Sequence, residues 1–306
     1  MNKDKIRHTF IGQYLISCLH IVECKIMPKI YDDETAVKKF FKKKAGYELN
    51  LDNPQTFSEK MNWYKLNDRN PLMAKCADKV AVRDYIKEKG YGDMLNEIYG
   101  VYNKVSEINI DALPDKFVLK ATHGSHMNVI VTDKSKVNWR QQKMLMKTWL
   151  KQDIYWPGRE WVYKDLPRRI VAEKYLEDDS GELKDYKFFC FNGKVEYMEY
   201  DTGRFNGVHY RNFYDKNMRF QSFDDGCPNN ILIELPLTKE QFENMKIVAE
   251  NLAKPFSFLR VDFYFLENKT YFGELTFFDS GGFEMFNPEE FNVIFCESWR
   301  LKNNGI

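Results

Sequence analysis

From Asp185 to Tyr200 the sequence DYKFFCFNGKVEYMEY sets Asn192-Gly193 between two runs of alternating character. Asn-Gly accepts positive φ at both central positions of a two-residue turn, so the pattern demands an antiparallel hairpin and therefore a sheet. Other strand-like runs cluster in the same part of the chain: KFVLKA, NVIVTD, RRIVAEKYLED and, near the end, FLRVDFYFL and YFGELTFF. The first hundred residues read differently. TFSEKMNWYKLND opens with Thr56 and Glu59 at capping-box spacing. PLMAKCADKVAVRDYIKEKG runs from a helix-start proline to Gly90, which predicts one helix over that span. LTKEQFENMKIVAENLAKP repeats the capping box with Thr238 and Gln241. The fold class expected is α+β, with strands concentrated after residue 115.

The chain has 306 residues, enough for one large domain or two to three lobes. Its 46 basic and 45 acidic side chains nearly cancel, so no whole-molecule field points to DNA or RNA, and no nucleic-acid partner is expected. Six cysteines lack a C-x-x-C pair, so no zinc ribbon or disulfide framework is expected, and a reducing, cytoplasmic setting is. Residues 8–22 carry no charge, but Gln13, Ser17 and His20 interrupt a run shorter than the roughly 20 residues of a bilayer span. Lys3, Lys5 and Arg7 precede it, and LISC loosely resembles a lipoprotein cleavage box, yet the apolar core is too short and polar-studded for a good export signal. In AVKKFFKKKAG, Val37, Phe40 and Phe41 share a helical stripe among lysines; it is read either as a solvated helix or as a surface that touches anionic lipid at the inner membrane face.

Three stretches carry chemistry. In KFVLKATHGSHMNVIVTD, the lysine precedes the turn and a strand follows it, which excludes a Walker loop. What remains is Lys120 pointing a charge at phosphate beneath the backbone N–H groups of Gly124 and Ser125, a two-histidine metal site at His123 and His126, or an ordinary hairpin. In the C-terminal hairpin, Asp262 and Glu274 interrupt apolar strands, with Arg260 on the same face as Asp262. Buried carboxylates are costly unless paired or bound to cations, so they fit either Mg2+ bridging phosphate oxygens or an ion-paired cluster. Register decides: a two-residue turn at Asn268-Lys269 puts Phe263 opposite Glu274, whereas a three-residue turn at Asn268, or a bulge, brings Asp262 there. The third stretch, VAEKYLED with LKDYKFFCF, can present strand-end backbone and acids to an adenine and a ribose.

Taken in order, TFSEKMNWYKL, ADKVAVRDYI, LPDKFVLKATHGS, DYKFFCFNGKV and YFGELTFFDSGGF resemble the TupA-like group of the ATP-grasp superfamily, found with capsular and teichuronopeptide biosynthesis. The resemblance implies two α+β lobes clasping ATP after a helical region: residues 1–100 helical, 101–178 a lid lobe with the phosphate flap, 179–306 a lobe with the Mg2+-binding hairpin. It implies that Lys79 and Lys120 contact ATP phosphates under a flap of Gly124 and Ser125. Glu173, Lys174, Tyr175 and Leu176 would line the adenine, and Asp185 would reach the ribose. Arg260, with Lys120, would be catalytic at the transferring phosphoryl group, and Asp262, Glu274 and Thr276 would hold Mg2+. Gly281 and Gly282 would contact substrate; independently of the resemblance, Arg204, His209 and Arg211, in a loop expected over 201–215, are read either as a grip on an anionic substrate or phosphate or as surface charges. Two departures stand out. His126 follows Ser125 where the group has glycine, and Thr276 stands where superfamily ligases have asparagine.

The activity implied is an ATP- and Mg2+-dependent carboxylate–amine ligase that works through an acyl phosphate and joins an amino acid to a surface polysaccharide or its precursor. The partners are then a small-molecule or glycan carboxylate and an amine. The competing readings are a glycosyltransferase, against which stands the absence of any Asp-x-Asp, and a kinase on the same scaffold.

Overall fold

The computed structural model describes residues 9–26, 30–178, 181–203 and 208–301. The chain forms two compact units, each assembled from three stretches: Met1–Ala36, Ala74–Val82 and Asn96–Leu176 in the first, Val37–Met73, Arg83–Leu95 and Glu177–Ile306 in the second. The helical first hundred residues are thus shared between the two units.

The first unit holds a four-stranded antiparallel sheet in the order β1-β4-β2-β3. The strands are β1 (Ile98–Tyr102), β2 (Phe117–Ala121), β3 (Asn128–Val131) and β4 (Ile170–Lys174). Alternation sorts their side chains. Phe117, Leu119, Val129, Val131, Ile170 and Ala172 enter a core with Leu145, Met146 and Trp149 of the helix Trp139–Trp149. The helix Phe10–Ile26 packs on that same helix. The opposite sheet face carries Val118, Lys120, Val171 and Glu173. The stretch around Lys120 is a hairpin, with Lys120 opposite Asn128 and the turn between Ala121 and Met127.

The second unit holds a six-stranded antiparallel sheet in the order β10-β9-β5-β6-β7-β8. Its strands are β5 (Asp185–Phe191), β6 (Lys194–Thr202), β7 (Tyr210–Asp215), β8 (Phe220–Gln221), β9 (Phe258–Leu266) and β10 (Lys269–Thr276). Asn192 and Gly193 both take positive φ (49° and 79°) in the two-residue turn that the sequence predicts. One face is covered by the helix Lys239–Ala253, where Phe242 meets Phe188. Both predicted capping boxes, Thr56 with Glu59 and Thr238 with Gln241, are formed.

The other face changes character along each strand. At one end Phe191, Phe258, Tyr197 and Phe213 join Phe57, Phe295 and Trp299 in an aromatic cluster, with Phe57–Phe295 and Phe258–Trp299 centroids both 5.1 Å apart. Two to four residues along the same strands the inward positions are Lys187, Arg260, Glu199 and Arg211. Aromatic burial of this kind anchors a sheet end on which charged groups are held in fixed positions.

Three expectations need correction. The predicted helix from Pro71 to Gly90 breaks into Pro71–Ala77 and Val82–Glu88. At the break the Asp78 carboxylate accepts from the N–H groups of Val80 and Ala81 and from Arg169, which satisfies locally what a continuous helix would have bonded. The segment 201–215 is not one loop: Tyr210–Asp215 is strand β7, with Arg211 opposite Asp201. Finally, Val37 and Phe41 are buried with Leu49 and do not form a surface stripe.

Candidate functional site

In the first unit, Lys120 lies on the face of β2 away from the core and its ammonium contacts Glu173 of β4 at 2.8 Å. The register explains the pair, because Glu173 faces Val118, one step along the same face. Lys79 sits in the break after Asp78, its N–H bonded to the Thr122 carbonyl at 3.2 Å, which ties it to the start of the β2–β3 turn. In that turn Gly124 is buried, whereas Ser125 and His126 are exposed. A Cβ at Gly124 would meet the Met127 side chain at 2.7 Å and Ile154 at 2.9 Å, so the turn needs glycine there. The N–H of Lys174 bonds to Glu97 and its carbonyl to Asn96, which fixes the end of β4 ahead of Tyr175 and Leu176. The Lys116 ammonium lies 5.8 Å from the Tyr175 ring centre.

The two histidines of this turn part company. His123 is buried, and its Nε2–H donates to the Trp149 carbonyl at 3.1 Å. Burial pushes its pKa down to about 4, so it is a neutral core side chain. Among the described residues no group of three or more His, Cys, Asp or Glu is placed to hold a metal, which removes the two-histidine alternative.

In the second unit the β9–β10 register is decided by a bulge. The turn is Glu267-Asn268, both at positive φ, and Leu266 faces Lys269. That register alone would leave Asp262 facing Gly273. An extra residue at Gly273 shifts the pairing so that Glu274 lies opposite Asp262. Gly273 is required: a Cβ there would come within 2.8 Å of the Asp262 carbonyl oxygen. Arg260 grips Asp262 with two nitrogens at 2.8 and 2.7 Å, also bonds Asp279 and the Thr276 hydroxyl, and stands 3.8 Å from Glu274.

The charged row continues across the sheet. Lys187 faces Asp262 on one side and Glu199 on the other. Its side chain is only 8% exposed, and its ammonium bonds Glu199 and Asp201 at 2.6 Å each. Burial works against that charge, but Glu199 and Asp201 more than offset it and raise the lysine pKa. Arg211 is held by Asp225, with Glu199 and Asp201 at 3.6 and 3.7 Å, so its charge is already compensated by protein carboxylates. His209 donates from Nε2 to Asp201 at 2.6 Å. Asp185 is buried at the start of β5, opposite Asp201. Arg204 lies outside the described residues. The Gly281 and Gly282 carbonyls accept from Lys65 and Asn62 of the helix Phe57–Asn67, which pins the loop after β10.

Acids outnumber bases here. Lys187, Arg211 and Arg260 face Glu199, Asp201, Asp225, Asp262, Glu274, Asp279 and Glu284. The carboxyl pKa values register the surplus: burial together with Asp279 pushes Glu284 up to about 8, and burial also raises Asp262 and Asp225 despite their arginine partners. A divalent cation fits such a surplus. Glu274 has an open side chain (44% exposed) and Asp262 keeps lone pairs beyond those given to Arg260. Two carboxylates with phosphate oxygens and water are a normal Mg2+ shell. The sequence reading missed Lys187, Glu199, Asp201, Asp225, Asp279 and Glu284. A lone lysine in an otherwise apolar strand was the available signal for Lys187, whereas the acids converge only through strand pairing.

One sheet thus carries a lysine–glutamate pair, and the other an Arg–Asp–Glu row in an acid-rich setting. The sequence model of the TupA-like ATPgrasp family matches residues 59–300, and the chain belongs to that family. Its fold is therefore the ATP-grasp fold. No curated protein matches. Solved structures resemble the chain at low identity. The D-alanine–D-alanine ligase of Helicobacter pylori has 12% identity and a TM-score of 0.46, with 83% of this chain and 69% of that one covered. An N5-carboxyaminoimidazole ribonucleotide synthetase in complex with ADP has 13% identity and a TM-score of 0.44, with 72% and 50% covered. The D-alanine–D-alanine ligase of Bacillus anthracis has 19% identity and a TM-score of 0.38, with 66% and 56% covered. This chain thus spans between half and about two thirds of the length of these structures.

Proposed function

We propose that the protein is an ATP- and Mg2+-dependent carboxylate–amine ligase that forms an acyl phosphate and then an amide. The observation that carries this reading is the Arg260–Asp262–Glu274 row, assembled by the Gly273 bulge in a chain of the ATP-grasp family. Lys120 and Lys79 bind the ATP phosphates, Gly124 and Ser125 cover them, Glu173 to Leu176 line the adenine and Asp185 takes the ribose. Asp262 and Glu274, with Thr276 nearby, would hold Mg2+, which would supply charge neutralisation for the ATP phosphates. Arg260 stabilises the charge that develops on the transferring phosphoryl group, and Asp262 and Asp279 keep its guanidinium in place. Positioning and charge thus carry the chemistry without a nucleophilic side chain.

The acceptor proposed is a surface polysaccharide or its precursor, with an amino acid as the amine, and the setting is cytoplasmic at the inner membrane face. No described helix is long and apolar enough to cross a membrane. The helix Phe10–Ile26 instead exposes Ile11, Leu15, Leu19, Val22 and Ile26, 49 to 68% accessible, in one stripe suited to the lipid interface. A kinase or a glycosyltransferase is the alternative outcome of the same test.

That test is a thermal-shift titration with ATP–Mg2+ and with UDP-sugars, on the wild type and on Glu274→Gln. Stabilisation by ATP–Mg2+ that weakens strongly in the variant is expected. A shift with a UDP-sugar and none with ATP sinks the ligase reading in favour of the glycosyltransferase. ADP release without a carboxylate acceptor points to the kinase.

A further inference from the structure

We propose that His209, oriented by Asp201, is the base that removes the proton from the attacking amine, and that the acidic surroundings of this pair favour a positively charged amine substrate; the proposal rests on the ligase reading above. The geometry begins with Asp201, whose side chain has no exposed surface. One of its oxygens accepts from Lys187 and the other from His209 Nε2, each at 2.6 Å. With Lys187 bonded and Arg211 at 3.7 Å, Asp201 stays ionised and can only accept. The imidazole must therefore carry its proton on Nε2, which leaves the lone pair of the neutral ring on Nδ1. His209 is 33% exposed, and Nδ1 makes no hydrogen bond among the described residues. The contrast with His123, sealed in the core on a carbonyl, is direct. A structural histidine is buried, whereas His209 is braced at one nitrogen and open at the other.

The surrounding charges suit the task. Asp201 of β6 faces the ring, with Lys187 of β5 behind it and Arg211 of β7 beside it. Asp225 neutralises Arg211, and the neighbouring Cys227 thiol donates to the His209 carbonyl at 3.5 Å. Glu199 and Glu284 add to the acid surplus. A protonated amine is attracted there but cannot attack, because an alkylammonium loses its proton only near pH ~10. Transfer of that proton to Nδ1 frees the nitrogen lone pair to bond the acyl carbon. The bond from that carbon to the phosphate oxygen breaks, and phosphate leaves with the electron pair and takes up the second proton from the nitrogen, which gives the amide and hydrogen phosphate. The imidazolium is stabilised by Asp201 and returns the proton to water through its exposed edge. His209 immediately precedes β7, three strand spacings, about 14 Å, from β9 and Asp262 across the sheet, a span that a sugar-sized acyl phosphate and an amine bridge together.

Hydroxylamine separates the steps, since it is already unprotonated near neutrality and traps acyl phosphates as hydroxamates. Wild type and His209→Gln are incubated with ATP–Mg2+, a panel of glucuronate, galacturonate and the common amino acids as carboxylates, and either hydroxylamine or glycine as the amine. The variant should lower the amide-to-hydroxamate ratio at pH 7 by about 10²–10⁴-fold, with recovery as pH rises toward 9. An ATP–Mg2+ thermal shift reports that the variant is folded, and His209→Asn serves if it is not. Equal loss of amide and hydroxamate, or loss of neither, overturns the base and leaves the ligase standing. If wild type forms no ATP-dependent hydroxamate with any carboxylate, the ligase reading falls and the base with it.

Discussion

His123 shows how a single buried side chain sets a pH response. Its folded pKa of about 4 lies below the roughly 6.5 of an exposed histidine. Between those values the unfolded chain binds a proton that the folded chain refuses, so stability falls as pH drops through that window. About 2 kcal/mol should be lost between pH 7 and pH 5 from this residue. Urea denaturation at the two pH values checks it, and His123→Gln should flatten the difference. The same turn was legible in sequence as a hairpin carrying Lys120, but not the fate of its histidines. Burial of His123 against Trp149 depends on the helix Trp139–Trp149, far along the chain. Gly273 is a parallel case. A glycine inside a strand run admits a bulge, but only the observed pairing shows that this glycine, rather than a longer turn, brings Glu274 opposite Asp262.

Among the elements, the capped helices and the Asn-Gly hairpin follow from short-range rules, and they form where the sequence predicts them. The break at Asp78 does not follow, because Arg169, ninety-one residues away, holds the carboxylate that ends the helix. The apolar surface also moved. The stripe of Val37 and Phe41 is buried, while Ile11, Leu15 and Leu19 face outward on the helix Phe10–Ile26. Co-sedimentation with vesicles rich in anionic lipid should retain the wild type and lose most of a Leu15→Ser, Leu19→Ser double variant. Equal sedimentation of both proteins, or of neither, removes this helix from the membrane proposal. The stripe is solvent-facing, so the two serines should cost little stability.

At the scale of the whole molecule, net charge is +1, yet among the described residues of the second unit carboxylates outnumber the cations Lys187, Arg211 and Arg260 around one sheet face. ATP added without Mg2+ brings further negative charge and should stabilise the protein far less than ATP–Mg2+. At a hundred times its dissociation constant, ATP–Mg2+ should add about 2.7 kcal/mol to the unfolding free energy. Calorimetric melts with ATP in EDTA and ATP in Mg2+ check this; equal stabilisation in both would falsify the assignment of a cation to this face. The sequence was sufficient for the fold class, the family, the capped helices and the hairpins, because these depend on residue type, short spacing and linear order. Lys187, Asp201, Asp225 and Glu284, the partition of the N-terminal helices between two units, and the engagement of Arg211 emerged only in three dimensions. They depend on which strands pair and in what register, and pairing between residues far apart in the chain leaves no periodic trace in either partner.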